Sequence, residues 1–184
     1  MSKNIKARLT HLDKYIKQKW DEYYLNFVYK HRERLCFSHL SSNPNITMEM
    51  IDKYPDLDWN WKFVSDNPNL TMKMINKYPD KSWDWERISS NPNITVKDIK
   101  KYRKKPWKWF CVAVNPGMTM EMIDQFSKKH WSWKYVSQNP NITLEYINNN
   151  PDLPWDFYLM SENPGLTMEI LEKYSNKSWN CKAL

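Results

Sequence analysis

Residues 41–51 read SSNPNITMEMI, and close copies of this stretch return five more times along the chain. The Asn-Pro pairs begin at residues 43, 67, 91, 115, 139 and 163, a constant step of 24 residues with no insertion or deletion. A strict period of this length is typical of solenoids, in which every repeat is one supersecondary unit stacked on its neighbours. The sequence therefore predicts a solenoid over residues 35–184, built from about six units of 24 residues with the last unit shortened.

Each unit carries a threonine where a helix would begin. A threonine hydroxyl at this place accepts a hydrogen bond from a free backbone N–H of the first turn. Ile46 before Thr47, together with Ile51 at the fourth helical position, gives the apolar pair of a hydrophobic staple. The first helix of the unit should run to about Tyr54. The predicted N-caps are Thr47, Thr71, Thr95, Thr119, Thr143 and Thr167.

A second short helix is predicted in each unit. It should begin near Asp58 or Ser82 and carry Trp61 and Val64 on one face. At 1.5 Å per residue each helix would be only about 12 Å long, which is too short for a helix to be stable by itself. Stacking must therefore supply the stability. The predicted fold class is an all-α superhelical solenoid of short helix pairs, in which the second helix is either an α-helix or a 3₁₀-helix.

Residues 1–34 lie outside the period and need a separate interpretation. Leu9, Leu12 and Ile16 are spaced like one face of a helix, and Trp20 with Tyr23 suggests a second helix. A solenoid requires terminal elements that cover the exposed ends of its stack. We therefore predict a helical N-terminal cap over residues 1–34.

The Asn-Ile-Thr triplet has two interpretations. It matches the acceptor pattern for N-glycosylation, and it also fits a turn residue, a staple residue and a cap in sequence. The column of Asn45 alternates with Gly117 and Gly165, and both residue types tolerate positive φ, so we predict a left-handed residue before each cap. The N-terminal residues show no apolar core of signal-peptide length, which favours the structural interpretation over a secreted glycoprotein.

The repeated string Asn-Pro-Asn-Ile-Thr-x-Glu-x-Ile, first seen at residues 43–51, resembles the leucine-rich variant repeat, in which short α-helices alternate with 3₁₀-helices. The resemblance covers about four-fifths of the chain. The chain departs from that family by its Trp-x-Trp pairs and by lacking a cysteine-rich iron–sulfur segment. The aromatic version is also similar to Asn-Pro/Trp repeat proteins of giant DNA viruses that infect amoebae. This resemblance implies an architecture and a viral origin, with no implication for chemistry.

The sequence offers no constellation of catalytic or metal-binding residues. Its four histidines are scattered without an HxxxH or HExxH pattern, and two glycines cannot build a phosphate-binding loop. The three cysteines form no metal motif or disulfide framework, and no stretch approaches the roughly 20 apolar residues of a membrane span. We expect no enzyme, no cofactor and no transmembrane helix. The expected location is intracellular, in a host cytoplasm or nucleus, or inside a virion if the chain is viral.

The net charge of +7 is concentrated in two segments. Residues 97–134 hold ten Lys and Arg residues against three acids, and residues 1–34 hold nine against four. In a solenoid, side chains of one repeat column form a line along an edge, and a basic edge attracts polyanions. A solvated lysine face that keeps the protein soluble would explain the same pattern. The candidate polyanion-binding residues are Lys100, Lys101, Arg103, Lys104, Lys105, Lys108, Lys128 and Lys129.

Three functions fit these patterns. The leading hypothesis is a non-enzymatic scaffold that binds a protein partner, with specificity in a variable column formed by Lys62, Glu86, Phe110, Lys134 and Tyr158. The first alternative is sequence-independent nucleic-acid binding through the basic edge, where Tyr102 and Trp107 could stack on bases if their rings are exposed. The second alternative is a structural, self-assembling protein, for example of a virion, and a homo-oligomer is compatible with the sequence.

Overall fold

The chain folds as an all-α solenoid. The computed structural model describes residues 3–127 and 129–184, and in this part thirteen α-helices follow one another with no β-strand. The predicted fold class is confirmed, and the second helix of each unit is an α-helix. The only 3₁₀-helix within the described residues is Arg32–Arg34.

Each unit contributes two short helices that lie at the same positions of the 24-residue period. The first helices are α3 (Met48–Lys53), α5 (Met72–Lys77), α7 (Val96–Lys101), α9 (Met120–Gln125), α11 (Leu144–Asn149) and α13 (Met168–Lys173). The second helices are α2 (Phe37–Ser42), α4 (Trp61–Val64), α6 (Trp85–Ser90), α8 (Trp109–Val114), α10 (Trp133–Ser137) and α12 (Phe157–Met160). Among the second helices α6 packs on α8, α8 on α10 and α10 on α12. One continuous apolar core runs through the stack, with Ile46, Ile51 and Leu70 fully buried.

Threonine side chains cap five of the six first helices as predicted. The hydroxyls of Thr47, Thr71, Thr95, Thr143 and Thr167 each accept a hydrogen bond from the backbone N–H three residues later. At Thr95 the cap is reciprocal, because Asp98 Oδ2 accepts from the Thr95 backbone N–H at 3.0 Å. The prediction for Thr119 is wrong, since its hydroxyl makes no such bond.

The difference between these caps leads to a prediction about stability. Thr95→Ala should lower the free energy of unfolding by about 1–2 kcal/mol, because it removes the hydroxyl that accepts from the Asp98 backbone N–H and donates to Asp98 Oδ2. The other half of the capping box, from the backbone N–H of residue 95 to Asp98, remains. Thr119→Ala should cost only a few tenths of a kcal/mol, since the hydroxyl caps nothing and alanine favours the helix that follows. Urea titration of both variants against the parent protein measures the difference. Equal losses for the two variants would show that the hydroxyl bond at Thr95 contributes nothing.

The second helices begin later than predicted, at Trp61 and Trp85 rather than near Asp58 or Ser82. The residues before them are held in a tight turn, because the Trp59 backbone N–H donates to Leu57 O at 2.6 Å. The indole Nε1 of Trp59 also donates to Tyr54 O at 2.7 Å. The same indole-to-carbonyl bond recurs in every later unit, from Trp83, Trp107, Trp131, Trp155 and Trp179. A side-chain bond in each unit therefore keeps the preceding segment out of the helix.

The first asparagine of each motif joins one unit to the one before it. The Nδ2 of Asn115 donates to Ser89 O at 3.0 Å, Asn91 O at 2.9 Å and Ile94 O at 3.3 Å. Its Oδ1 accepts from the Gly117 backbone N–H at 2.7 Å. We call this row of buried side chains the asparagine ladder, formed by Asn67, Asn91, Asn115, Asn139 and Asn163.

The second asparagine of the motif has a different role from the one predicted. No residue in the described part of the chain has a positive φ. The prediction of a left-handed residue before each cap is therefore wrong. Instead, Asn69 Nδ2 donates to Pro44 O at 2.7 Å and Asn141 Nδ2 to Pro116 O at 2.8 Å, both in the preceding unit. A glycan would occupy this same nitrogen, which supports the structural interpretation of Asn-Ile-Thr.

Close approach between units explains one glycine. A Cβ atom on Gly165 would lie 2.6 Å from Pro140 O, which is part of the backbone of the preceding unit. A Cβ on Gly117 would be less crowded, at 3.1 Å from Asn115 Oδ1. The alternation of Asn and Gly in this column therefore reflects contact between units.

Aromatic rings form a second continuous connection along the stack. The second ring of one unit packs edge-on against the first ring of the next, as Trp61 does on Trp83 with 5.0 Å between centroids and an interplanar angle of 78°. The equivalent pairs are Phe37–Trp59, Trp85–Trp107, Trp109–Trp131, Trp133–Trp155 and Phe157–Trp179. Packing, rather than a ligand cage, accounts for the tryptophan columns.

The N-terminal segment is a single long helix. α1 spans Lys3–Lys30, so the prediction of two helices is wrong. Within its described side chains, Leu25 and Val28 are buried against the stack, whereas every residue from Thr10 to Trp20 is exposed. Among the side chains of α1 that the structure describes, burial against the units is thus confined to the C-terminal part of the helix, and residues 10–20 stay exposed.

Candidate functional site

The predicted basic residues lie around one inter-helix loop and its counterpart in the next unit. Lys100 and Lys101 end α7, and Lys108 precedes α8. The remaining members lie in loops: Arg103, Lys104 and Lys105 after α7, and Lys129 after α9. Lys100 and Lys105 are half-buried, and the others are exposed. Lys128 lies outside the described residues.

Lysines at one position of the repeat lie over aromatic rings of the stack. The Lys105 Nζ lies 5.8 Å from the ring centroid of Trp85, and Lys129 Nζ lies 5.4 Å from that of Trp109. Lys81 over Trp61 and Lys177 over Phe157 repeat this arrangement at 5.2 and 5.5 Å. An ammonium group over an aromatic face is attracted by the ring's quadrupole. Each lysine of this column therefore contacts the unit before its own.

The basic side chains over 97–134 are largely without carboxylate partners in the described structure. Within the described residues none of the candidate Lys and Arg side chains forms an ion pair. Asp98 serves the Thr95 cap, and Asp124 accepts from the Tyr146 hydroxyl at 2.9 Å. Burial, with that bond to Asp124, raises the pKa of Tyr146. The segment's acids are thus either engaged elsewhere or, like Glu121, exposed on a helix first turn.

The neighbouring units behave differently. Lys77 pairs with Asp52, and the hydrogen bond from its ammonium, assisted by the Tyr78 hydroxyl, lowers the pKa of Asp52. Arg87 pairs with Asp66 at 3.0 Å. Two basic residues of these units are therefore paired with carboxylates, whereas none of the described candidates over 97–134 is.

The two aromatic residues proposed for base stacking, Trp107 and Tyr102, pack against the core of the stack. Trp107 is buried, because its ring packs edge-on against Trp85 at 5.2 Å. Tyr102 is half-buried against the core. Phe110 is exposed in the same region, and its ring lies 6.2 Å from that of Tyr135. The ring of Trp107 is therefore not available for stacking on a base, and that of Tyr102 is available only in part.

The variable column of the repeat is exposed in all five units where it was identified. Its members take the second position of α4, α6, α8, α10 and α12. They are Lys62, Glu86, Phe110, Lys134 and Tyr158, and they include basic, acidic and aromatic side chains. An exposed position that changes chemistry while its surroundings repeat is a place where one surface can acquire specificity. Sequence periodicity alone was sufficient to find it.

The described residues show no arrangement suited to catalysis. No three His, Cys, Asp or Glu side chains among them are grouped closely enough to hold a metal ion. A groove of about 560 Å³ between the last units contains two charged residues, Asp156 and Lys177. Asp156 Oδ1 accepts from the Leu159 backbone N–H at 3.0 Å, and Lys177 lies over Phe157. Both charged groups are thus explained by local structure.

The three cysteines should differ in reactivity. Burial raises the pKa of Cys111 to about 11, whereas Cys36 and Cys181 are exposed. Because the thiolate is the reacting form, iodoacetamide at pH 8 should modify two thiols per chain quickly and Cys111 at least tenfold more slowly. Intact-mass spectrometry over time measures this. Cys111→Ala should leave the fast stoichiometry at two, and three equally fast additions would contradict the burial of Cys111.

Comparison with protein-family models, curated proteins and solved structures finds no match to this chain. Its class therefore follows from its own geometry. The chain is an all-α, tryptophan-rich repeat protein whose central units carry uncompensated basic charge. In the part that the structure describes, no helix combines the length and apolar character that crossing a bilayer requires.

Proposed function

We propose that this chain is a non-enzymatic repeat scaffold that binds a protein partner through its second helices. The observation that carries the proposal is the exposed variable column on α4, α6, α8, α10 and α12. The asparagines of the ladder and the aromatic rings recur from unit to unit because they build the stack. The residues of the variable column make no such contact between units in common, so their chemistry can differ. Extended surfaces of this kind are the common binding sites of solenoid proteins.

Two features support an intracellular setting for this function. The side-chain nitrogens of Asn69, Asn93 and Asn141 donate to carbonyls of the preceding unit, which makes them poor glycan acceptors. Three free cysteines also suit a reducing compartment. The resemblance of the Asn-Pro/Trp unit to repeat proteins of giant DNA viruses makes an infected host cell the setting that we propose for the partner.

A capture experiment with paired variants tests the scaffold proposal. Tagged protein is incubated with host-cell lysate in parallel with a Phe110→Asp/Tyr158→Asp variant, and bound proteins are quantified by mass spectrometry. Met168→Asp is the control, since Met168 is exposed on a first helix. We expect at least one protein that the parent and control retain and the column variant loses. Capture of nothing above background, or of proteins indifferent to the column, would contradict the proposal.

The second candidate function is sequence-independent binding of nucleic acid by the basic edge. It is favoured by one observation, the set of exposed basic side chains over 97–134 with no carboxylate partner in the described structure. Neutralised phosphates release counterions, so the logarithm of the binding constant falls linearly with the logarithm of salt concentration. The buried state of Trp107 indicates a mode that depends on backbone charge and tolerates either single or double strands.

Fluorescence anisotropy with labelled oligonucleotides tests this candidate at about 50 and 200 mM salt. Changing Arg103, Lys104 and Lys108 to Glu should abolish binding at the higher salt and reduce the salt slope by about 2–3. The matched control changes Lys62, Lys73 and Lys173, three exposed lysines outside the segment, to Glu. Equal effects of both triple variants would indicate attraction by net charge alone. A chain that binds neither nucleic acid nor protein but sediments as an oligomer would favour the self-assembling role.

A further inference from the structure

α1 exposes a row of apolar side chains to solvent in the described structure. We call it the apolar stripe, and its members are Leu12, Ile16, Trp20, Tyr23 and Phe27, which are 52, 57, 57, 68 and 46% exposed. Their spacing by three and four residues puts them on one face of the helix. The buried residues Leu25 and Val28 lie on a different face, because each residue turns an α-helix by about 100°. Attachment to the stack therefore leaves the stripe open.

The stripe is long, straight and rich in aromatic residues. From Leu12 to Phe27 it extends about 23 Å at 1.5 Å per residue. The ring of Trp20 lies 6.4 Å from that of Tyr23 and 6.5 Å from that of Tyr24, both on its own helix. Contiguous exposed apolar surface of this kind marks an interaction site. Trp and Tyr, with an apolar ring and a polar tip, are enriched where hydrocarbon meets water.

Basic residues border the stripe and indicate the charge of its partner. By helical geometry Lys19 and Lys30 lie along one border of the stripe, and both are exposed. Lys17, on the other side, lines a groove with Thr47 and Glu49 of the stack. Asp13 is the acid nearest to the stripe, and Glu22 is paired with Lys19 at 3.0 Å. The sequence of α1 holds seven Lys and Arg residues against three acids. A second copy of α1 would bring like charges together, whereas an anionic surface would be attracted.

We propose that α1 binds the surface of a membrane that contains anionic lipids, with its axis in the plane of the interface. The apolar stripe enters the boundary between headgroups and acyl chains, and the bordering lysines contact lipid phosphates and carboxylates. Helices with an apolar aromatic face and a Lys/Arg-rich polar face bind membranes in this manner, with apolar burial and charge attraction both contributing. This function goes beyond the proposed scaffold role, because it would fix the location of the stack while leaving the second helices accessible.

Vesicle sedimentation with the full chain tests the proposal. Vesicles of phosphatidylcholine alone are compared with vesicles containing about one-third phosphatidylserine, at low salt and at about 150 mM salt, where surface charge is partly screened. We expect binding to the anionic vesicles and at least tenfold less to the neutral ones. Ile16→Glu/Phe27→Glu should reduce the partition at least tenfold. The control Tyr158→Glu/Met168→Glu, which changes two equally exposed residues of the stack, should bind like the parent.

A spectroscopic measurement locates the contact on the helix. Trp20 is the one exposed tryptophan of the eleven, all of which are described. Brominated acyl chains in anionic vesicles should quench part of the tryptophan fluorescence in the parent and leave Trp20→Phe essentially unquenched. Failure of the parent to be quenched would overturn the proposal even if the protein sediments with vesicles.

Three other results would also overturn it. Equal binding to neutral vesicles would remove the argument from charge. Loss of binding in the Arg103/Lys104/Lys108 variant, with the stripe variant unaffected, would assign the membrane contact to the basic edge. A dimer in sedimentation velocity that Ile16→Glu dissociates would make a second copy the occupant of the stripe. None of these outcomes depends on whether the variable column binds a protein.

Discussion

Asn115→Ala should reduce the free energy of unfolding by about 3–5 kcal/mol, although it removes only one small side chain. The Asn115 side chain is 1% exposed and makes four hydrogen bonds, three of them to carbonyls of the preceding unit. Alanine would leave those carbonyls buried without this donor, and each unsatisfied buried group costs about 1–3 kcal/mol. Some of the three carbonyls share other donors, which keeps the expected total below the simple sum.

Asn115→Asp should be at least as destabilising at pH 7. The aspartate side chain has almost the same shape as asparagine. However, it replaces the Nδ2 donor with a carboxylate oxygen, which would face three carbonyl oxygens. Burial raises the pKa of a carboxyl group, so the folded-state pKa of the introduced group should exceed its unfolded value. Stability is then greatest below the unfolded pKa and is lost as pH rises through the folded pKa. The deficit relative to the parent should therefore shrink as pH falls from 7 toward 5.

Asn43 provides the matched control for both variants. It occupies the equivalent position in the first unit, where its Oδ1 accepts from the Asn45 backbone N–H at 2.8 Å and its Nδ2 has no partner in the described structure. Asn43→Ala should cost about 1 kcal/mol, the net value of one hydrogen bond. Urea unfolding followed by circular dichroism measures all three variants, and hydrogen exchange should show lost protection centred on residues 89–94 for Asn115→Ala. A loss near that of Asn43→Ala would mean that the ladder contributes no connection between units.

The periodicity of the sequence predicted the architecture because stacking repeats the same local signals. Threonine caps, apolar staples and paired tryptophans each recur in phase, and each is a short-range pattern that can be identified within one unit. The exception at Thr119 has an unremarkable sequence, MTMEM, and nothing in it distinguishes that cap from the others. Variation of this kind depends on small shifts in backbone geometry.

Contacts between units were harder to predict from residue types. Alternation of Asn with Gly at Asn141 and Gly165 is equally consistent with positive φ and with close approach of another backbone. Only the structure shows that Asn141 donates to the preceding unit and that a Cβ on Gly165 would meet Pro140 O. The partner lies 25 residues earlier for both, which is outside the reach of local pattern analysis.

The N-terminal helix was misjudged for a related reason. Its apolar residues up to Ile16 and those from Trp20 onward were assigned to two separate helices. However, spacings of three and four residues continue from Leu12 to Phe27, and residues 3–30 contain neither glycine nor proline, so nothing requires a break. Whether the stripe is buried could not be predicted, because burial depends on where α1 meets the stack. The same limit applies to the basic edge, because the ion pairing of its residues could not be predicted without coordinates.

Trp61→Ala should destabilise the protein by about 3–5 kcal/mol, the usual cost of deleting a buried aromatic side chain. The Trp61 ring is 8% exposed and packs against Tyr78 at 5.3 Å and Trp83 at 5.0 Å. Lys81 Nζ lies 5.2 Å from its centroid. Removal of the ring would leave a cavity between two units and would eliminate an edge-to-face pair worth about 0.5–1.5 kcal/mol beyond area burial.

Trp61→Phe should cost only about 1–2 kcal/mol, because phenylalanine already occupies this column twice, at Phe37 and Phe157. Phe157 occupies the same column, packs on Trp179 at 5.3 Å and 77°, and lies under Lys177. By contrast, Trp59→Phe should cost about 1–3 kcal/mol more than Trp61→Phe, since it also removes the Nε1 donor to Tyr54 O. Urea unfolding monitored by circular dichroism, which does not depend on the deleted fluorophore, compares the three variants.

The two tryptophan columns therefore have separate requirements. Trp59 and its equivalents need both a ring and an N–H, and every unit from the first to the last keeps tryptophan there. The Trp61 column needs a ring over which the next unit can pack, and it includes Phe157 and ends at Cys181. If Trp59→Phe and Trp61→Phe lost equal stability, the indole hydrogen bond would contribute nothing, and the unbroken tryptophan column would need another cause. If Trp61→Phe lost as much as Trp61→Ala, the fit of the phenylalanine rings at Phe37 and Phe157 would be a property of the end units alone.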